Sequence, residues 1–127
     1  MEKETYTVYF DKNINAVVMD WDGYATSSQF KEGTELMLNT LVKHNCSKVL
    51  ADTSDMVLIG TEDQQWLDTH FLPRAMQFGF KAIAIIWPQH YFNKVALENI
   101  YYKVDKDKLS INFFDHVDEA KTWLNSI

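Results

Sequence analysis

The segment that most constrains the fold is the apolar run at positions 82–87, which reads Ala-Ile-Ala-Ile-Ile-Trp. A strand with one solvent-exposed face alternates apolar and polar residues, whereas a strand that is covered on both faces is apolar almost throughout. The run therefore predicts a central strand that is buried on both sides. It is far shorter than the roughly 20 residues that a helix needs to span a bilayer, so we expect no membrane insertion.

The rest of the chain alternates between strand-like and helix-like patterns. Residues 5–10 and 16–21 are β-branched and aromatic runs separated by turn residues, which predicts an antiparallel hairpin. Residues 48–51 and 109–113 predict two more strands. Apolar residues spaced three and four apart predict helices over 27–42, 61–78, 91–102 and 117–127.

This order, ββαβαβαβα, predicts an α/β fold. Strands separated by helices imply right-handed parallel crossovers, and hence a mixed five-stranded sheet with an N-terminal antiparallel hairpin and helices packed on it. A chain of 127 residues fits one domain. Because the sequence has no repeat and no linker, we expect a single domain over 1–127.

Local signals also predict where the helices begin and break. Ser27 or Ser28 can cap the first helix. Thr61 and Gln64 match a capping box for the second helix. Pro73 lacks an amide donor, so it should kink that helix or begin a new segment.

Charge and cysteine content narrow the classes of function. Eighteen acidic against twelve basic residues give a net charge of -6, and Lys and Arg are not clustered, which argues against nucleic-acid binding. The single cysteine, Cys46, cannot form an intramolecular disulfide or a Cys-rich zinc site. Residues 1–5 lack the apolar run of a secretory signal. We expect a cytoplasmic protein without a metal or other cofactor.

One motif nevertheless looks catalytic. Asp20 and Asp22 follow a predicted strand two residues apart, which resembles the first motif of the haloacid-dehalogenase phosphatases. That resemblance implies that Asp20 attacks phosphorus, that Asp22 protonates the leaving group and that magnesium screens both charges. Asp115 and Asp118 resemble the acidic magnesium motif of the same enzymes.

Other features argue against this enzyme. Tyr24 stands where the family motif has Thr or Val, the chain is short for that fold, and the strand is one arm of a hairpin rather than a central parallel strand. In the non-catalytic interpretation, Asp20 and Asp22 are edge-strand and turn residues, and Asp115 or Asp118 caps the last helix. We therefore predict no enzyme activity and keep the magnesium-dependent phosphatase as the alternative.

Five segments that cover nearly the whole chain carry a different resemblance. They are residues 21–24 (Trp-Asp-Gly-Tyr), 48–52 (Lys-Val-Leu-Ala-Asp), 63–66 (Asp-Gln-Gln-Trp, with Pro73 seven residues later), 79–84 (Gly-Phe-Lys-Ala-Ile-Ala) and 118–124 (Asp-Glu-Ala-Lys-Thr-Trp-Leu). In order and spacing they resemble small bacterial relatives of the sporulation anti-sigma-factor antagonists, the STAS-like or SpoIIAA-like superfamily. The resemblance implies a mixed sheet with helices and a regulatory or binding role.

The resemblance also bears on a regulatory switch. The antagonists are phosphorylated on the Ser of an Asp-Ser-x-Gly motif at the start of the helix after the third strand. Asp52 and Thr53 are the nearest matches here, and the Gly is missing. A phosphate on Thr53 or Ser54 would lie between the carboxylates of Asp52 and Asp55, with no Arg to receive it. The alternative interpretation is an Asx or Ser turn that leaves a strand.

A ligand of an α/β sheet tends to bind beyond the carboxyl ends of parallel strands, which here predicts a site between the loops 52–61 and 87–92. Aromatic residues at a strand exit can line a pocket or anchor a partner, and otherwise they complete the core. The predicted binding residues are Asp52, Thr53, Met56, Leu58, Trp87, Tyr91 and Phe92.

These observations lead to three functional hypotheses. The preferred one is a cytoplasmic STAS-like regulatory domain that binds a protein partner or a small apolar ligand. The phosphatase that uses Asp20 and Asp22 is the second. A homodimer that forms through aromatic residues such as Tyr101 and Tyr102 is the third.

Overall fold

The computed structural model describes residues 5–57 and 60–127. One five-stranded sheet has its strands in the order β1-β2-β3-β4-β5; β1 and β2 are antiparallel, and every later pair is parallel. The predicted mixed α/β fold with an N-terminal hairpin is therefore confirmed. The strands are β1 Tyr6–Asp11, β2 Ala16–Gly23, β3 Lys48–Met56, β4 Ala82–Ile86 and β5 Ser110–Phe114.

Helices lie in each connection between parallel strands, and a last helix follows β5. They are α1 Ser27–Lys43, α2 Thr61–Trp66, a π-helical segment Leu67–Phe71, α3 Leu72–Gln77, α4 Tyr91–Lys103 and α5 Val117–Asn125. A new helical segment, α3, begins at Leu72 with Pro73 in its first turn, where the missing amide costs least; the prediction that Pro73 begins a new segment is confirmed. None of the helices within 5–57 and 60–127 is long and apolar enough to cross a membrane.

The sheet has two covered faces, and successive residues of β2 alternate between them. Val17, Met19 and Trp21 belong to the core beneath α1, the π-helical segment, α3 and α4, on what we term the α1–α4 face. Ala16 and Val18 belong to a smaller core beneath α5, on the α5 face. Burial on both faces explains why the interior strands are so apolar.

Helix α1 packs closely against the hairpin at Gly33. A β-carbon at this position would lie 2.8 Å from Cη2 of Trp21 and 3.0 Å from Cγ of Tyr6. Because the aromatic rings occupy the space that a side chain would need, the glycine permits the close approach of α1 to β1 and β2.

The predictions of helix caps are wrong in detail. Thr26, and not Ser27 or Ser28, caps α1 in a capping box with Gln29. The residue that precedes α2 is Gly60, which has no side chain to cap the helix, so Thr61 falls one position inside it.

The N-cap of α5 is His116, with no side-chain cap hydrogen bond. The prediction that Asp115 or Asp118 caps the last helix is therefore wrong. Asp115 precedes the cap and Asp118 is the second residue of α5, where its negative charge lies near the positive end of the helix dipole.

The position predicted for the Asp20 strand is also wrong. The hairpin partner β1 is an edge strand, whereas β2 lies between β1 and β3 and pairs in parallel with β3. A hairpin arm becomes interior here because β3 adds to its free side. In this register Asp20 lies beside Asp52, and an irregularity follows between Asp20 and Asp22.

Candidate functional site

Strand β3 is longer than the sequence predicts and extends past the end of β4. The prediction ends the strand at residue 51, but the structure continues it to Met56, with Asp55 beside Asp22 and Met56 beside Gly23 on β2. Its pairing with β4 stops at Ile86. Residues 52–56 of the predicted loop 52–61 are thus strand, and the ends of β2 and β3 extend together beyond the end of β4.

The polar residues of β3 are engaged within the fold. Thr53 is 5% exposed, and its hydroxyl donates a 2.6 Å hydrogen bond to the carbonyl of Ile86 at the end of β4. Oδ1 of Asp52 accepts hydrogen bonds from the backbone amide and the hydroxyl of Ser54, at 3.1 and 2.6 Å. Thr53 is therefore inside a strand and buried, rather than at the start of a helix as in the phosphorylated motif.

The tip of β3 is tied to α4 by a residue that the sequence analysis does not single out. Asn93 is completely buried, and its side-chain amide donates a 2.8 Å hydrogen bond to the carbonyl of Met56. The amide of Gln89 also donates to the carbonyl of Ser54, at 3.3 Å. The helical spacing of the sequence could have indicated that Asn93 is buried, because Asn93 lies on the same face of α4 as the buried residues Leu97 and Ile100.

A second polar contact, which is partly buried, joins the first turns of α1 and α2. Asp63 is 7% exposed, and its Oδ1 accepts a 2.6 Å hydrogen bond from the hydroxyl of Ser27. The sequence makes Ser27 a candidate helix cap but does not indicate that it pairs with Asp63. Only the tertiary arrangement places these two helix starts next to each other.

Apolar side chains are exposed around this edge of the sheet. Tyr24 follows β2, Val57 follows β3, and Tyr91 and Phe92 begin α4. Their exposed fractions are 62%, 38%, 73% and 75%. The amide of Val57 donates to the carbonyl of Gly23 at 3.0 Å, which fixes the exits of β2 and β3 side by side. We call these four residues the carboxyl-edge surface.

Trp87 is not part of the carboxyl-edge surface. Its ring stacks on Phe113 of β5, with the ring centroids 4.0 Å apart, and the Lys94 ammonium lies 4.9 Å from its centroid. Its backbone amide donates to the carbonyl of Phe114 at 3.0 Å. Trp87 is half-buried against the edge strand, so most of its ring packs within the fold, whereas the rings of Tyr91 and Phe92 are largely open to solvent.

The other predicted binding residues can also be sorted into those that pack within the fold and those that are open to solvent. Met56 is 1% exposed and belongs to the core of the α1–α4 face. Leu58 lies outside the residues that the structure describes. Of the seven predicted residues, the structure thus leaves Tyr91 and Phe92 open to solvent and places Asp52, Thr53, Met56 and Trp87 partly or fully within the fold.

The four carboxylates of the phosphatase hypothesis do not meet. Asp20 lies on β2, whereas Asp115 and Asp118 follow β5, three strands away. Three strand spacings amount to about 14 Å, which is too far for one ion to bridge. Within 5–57 and 60–127 there is no cluster of three or more His, Cys, Asp or Glu residues that could hold a metal ion.

No family model matches the sequence. A stretch of 82 residues, 63% of this chain, is 34% identical to dynein axonemal heavy chain 8 from Homo sapiens. The chain spans only 2% of the length of that protein, so the match gives no family for the chain.

Solved structures resemble it over nearly the full length. An uncharacterised protein with a SpoIIAA-like fold from Shewanella loihica superposes with a TM-score of 0.63 at 18% identity, covering 94% of this chain and 91% of that one. An anti-sigma factor antagonist from Mycobacterium paratuberculosis gives a TM-score of 0.60 at 9% identity, covering 97% of each chain. The fold is therefore STAS/SpoIIAA-like, which confirms the fold that the sequence resemblance implies.

Proposed function

We propose that this chain is a non-enzymatic regulatory module that binds a partner protein through the carboxyl-edge surface. The observation that carries the proposal is the pair Tyr91 and Phe92, adjacent aromatic residues that are 73% and 75% exposed. Their rings meet edge to face with centroids 5.9 Å apart. Aromatic side chains bury a large area at a small cost in conformational entropy, and they dominate the energetics of protein interfaces.

Hydrogen bonds that fix the backbone on either side of these two rings support the proposal. Asn93 follows them directly and ties the first turn of α4 to β3, and Gln89 ties the preceding loop to the same strand. A binding surface that is held in place before association loses less conformational entropy when the partner binds. Tyr24 and Val57, at the exits of β2 and β3, extend the same apolar surface.

Similarity of the fold to that of a regulatory protein also supports the proposed regulatory role. The protein from Mycobacterium paratuberculosis shares the architecture, and as an anti-sigma factor antagonist it acts on another protein. The absence of a shared site for Asp20, Asp22, Asp115 and Asp118 leaves the phosphatase without structural support among the described residues. We also propose that residues 1–127 act as one domain in the cytoplasm.

The experiment compares two surface variants of the full chain. Tyr91→Ser with Phe92→Ser removes the two rings, whereas Tyr102→Ser removes an equally exposed ring, 73%, from the opposite end of the same helix. Each tagged variant is expressed in its native host, and co-purified proteins are quantified by mass spectrometry. The double variant should lose the partner that wild-type protein and Tyr102→Ser retain. Equal recovery with all three proteins would contradict the proposal.

A further inference from the structure

The core of the α1–α4 face contains a cavity of about 100 Å³ that is partly open to solvent. The sheet contributes Met19, Ala51 and Ile85 to its wall, and the helices contribute Met37, Phe71 and Leu97. Cores are normally packed with few voids larger than a water molecule, because an unfilled space forfeits dispersion contacts. A cavity of this size therefore needs an explanation.

The polar groups of the wall are already used. The hydroxyl of Thr34 donates to the carbonyl of Phe30 at 2.7 Å, and that of Thr53 donates to Ile86 at 2.6 Å. Among the described residues, no buried side-chain nitrogen or oxygen lacks a hydrogen-bond partner. A buried water needs two to four polar partners, so the cavity offers water little and favours an apolar occupant.

Size narrows the class of occupant. An engineered apolar cavity of about 150 Å³ lined by similar side chains stays dry and binds benzene or xenon. The cavity here is of the same order and is lined almost throughout by aliphatic, aromatic and methionine side chains. It suits one uncharged group of the size of a small ring or a short branched alkyl chain.

The wall includes the irregular part of the helix that follows β3. Leu67 and Phe71, the first and last residues of the π-helical segment, both line the cavity. π-Helical turns are rare and are frequent at functional sites. Leu67, Ile83 and Ile111 are the lining residues that are only partly buried, which places the approach from solvent between this segment and β5.

We propose that this cavity is a binding site for a small, uncharged apolar molecule. The site is separate from the carboxyl-edge surface: Tyr24, Tyr91 and Phe92 are outside its wall. Binding here does not require the partner protein, so either proposal can fail without the other.

The probe for the test is benzene, titrated into the full chain and followed by NMR of the methyl groups. Met19, Met37 and Ile85 report on the cavity, while Ile14, Val18 and Ile86 on the α5 face are internal controls. The first set should shift and saturate, and the second set should not. Benzoate, which has the same ring with a charge, should produce no saturable shift in either set, since burial of an unpaired charge is costly.

Variants make the test specific. Ala51→Val fills the cavity and should abolish saturable binding of benzene, whereas Ala84→Val adds the same bulk on the α5 face of the neighbouring strand and should preserve it. If a valine variant does not fold, Leu97→Ala widens the cavity and should bind benzene at least as tightly as the wild type. The proposal is overturned if the cavity methyls do not saturate, if both sets saturate alike, or if folded Ala51→Val binds as wild type does.

Discussion

The side chain of Asn93 donates a 2.8 Å hydrogen bond to the carbonyl of Met56 and so joins the first turn of α4 to the last residue of β3. Asn93 is 0% exposed, and Met56 is 1% exposed. The two aromatic residues that precede Asn93 are among the most exposed apolar side chains of the described chain. The buried hydrogen bond of Asn93 thus fixes the position of the exposed residues Tyr91 and Phe92 relative to the sheet.

We expect Asn93→Ala to destabilise the protein by about 1–3 kcal/mol, because it leaves the buried carbonyl of Met56 without this donor. Chemical denaturation gives the free energy of unfolding. Asn99→Ala is the matched control, since Asn99 is exposed on the same helix, and it should change the value by less than about 0.5 kcal/mol. Equal values for the two variants would show that the Met56 contact contributes nothing.

Ser27→Ala should also lower stability, by roughly 1–3 kcal/mol, since the buried carboxylate of Asp63 loses the hydroxyl that donates to it. Ser28→Ala serves as the control because Ser28 is an exposed neighbour in the same turn. A double-mutant cycle with Asp63→Ala, which removes the acceptor, measures the coupling between the two side chains. A coupling energy near zero would argue against the contact.

At Gly33, substitution by alanine should destabilise the protein, although alanine is favoured over glycine within helices by about 1 kcal/mol. The added β-carbon would lie 2.8 Å from the ring of Trp21, which is 3% exposed and cannot move freely. We expect a net loss of about 1–3 kcal/mol, as for other overpacked sites. The same change in a Trp21→Phe background, which lacks Cη2, should cost less; an unchanged cost would show that contact with Trp21 is not the cause.

Asp20→Asn should leave the hydrolysis of phosphate esters unchanged. Asp20 is exposed on β2 and is separated from Asp115 and Asp118 by the width of three strand spacings. The measurement compares wild type and variant with p-nitrophenyl phosphate and magnesium over a series of protein concentrations. Magnesium-dependent turnover that Asp20→Asn abolishes would restore the phosphatase hypothesis.

The order of elements was predictable because periodicity reports which face of each element is buried. The apolar run at 82–87 correctly predicts β4, and Pro73 correctly predicts that a helical segment begins near it, at α3. The end of β3 was not predictable from pattern, since Asp52, Ser54 and Asp55 are polar residues that are unusual within a strand. Pairing with β2 extends the strand there, and that pairing depends on tertiary structure.

The candidate site was predictable in part for a related reason. Parallel topology places the exits of successive strands at one edge, and Tyr91 and Phe92 lie there. Whether an aromatic residue at such an edge faces solvent or core depends on its neighbours, and the stacking of Trp87 on Phe113 could not be derived from a local sequence pattern. The same holds for the bond between Ser27 and Asp63, which are 36 positions apart.

The central claim, that a protein docks on the carboxyl-edge surface, is tested most directly by site-specific photo-crosslinking in the native host. A benzophenone amino acid replaces Phe92 in one protein and Tyr102 in the control, positions that are 75% and 73% exposed at opposite ends of α4. We expect one discrete crosslinked partner from position 92 that is absent from position 102. No adduct at position 92, or the same adducts at both positions, would contradict the account.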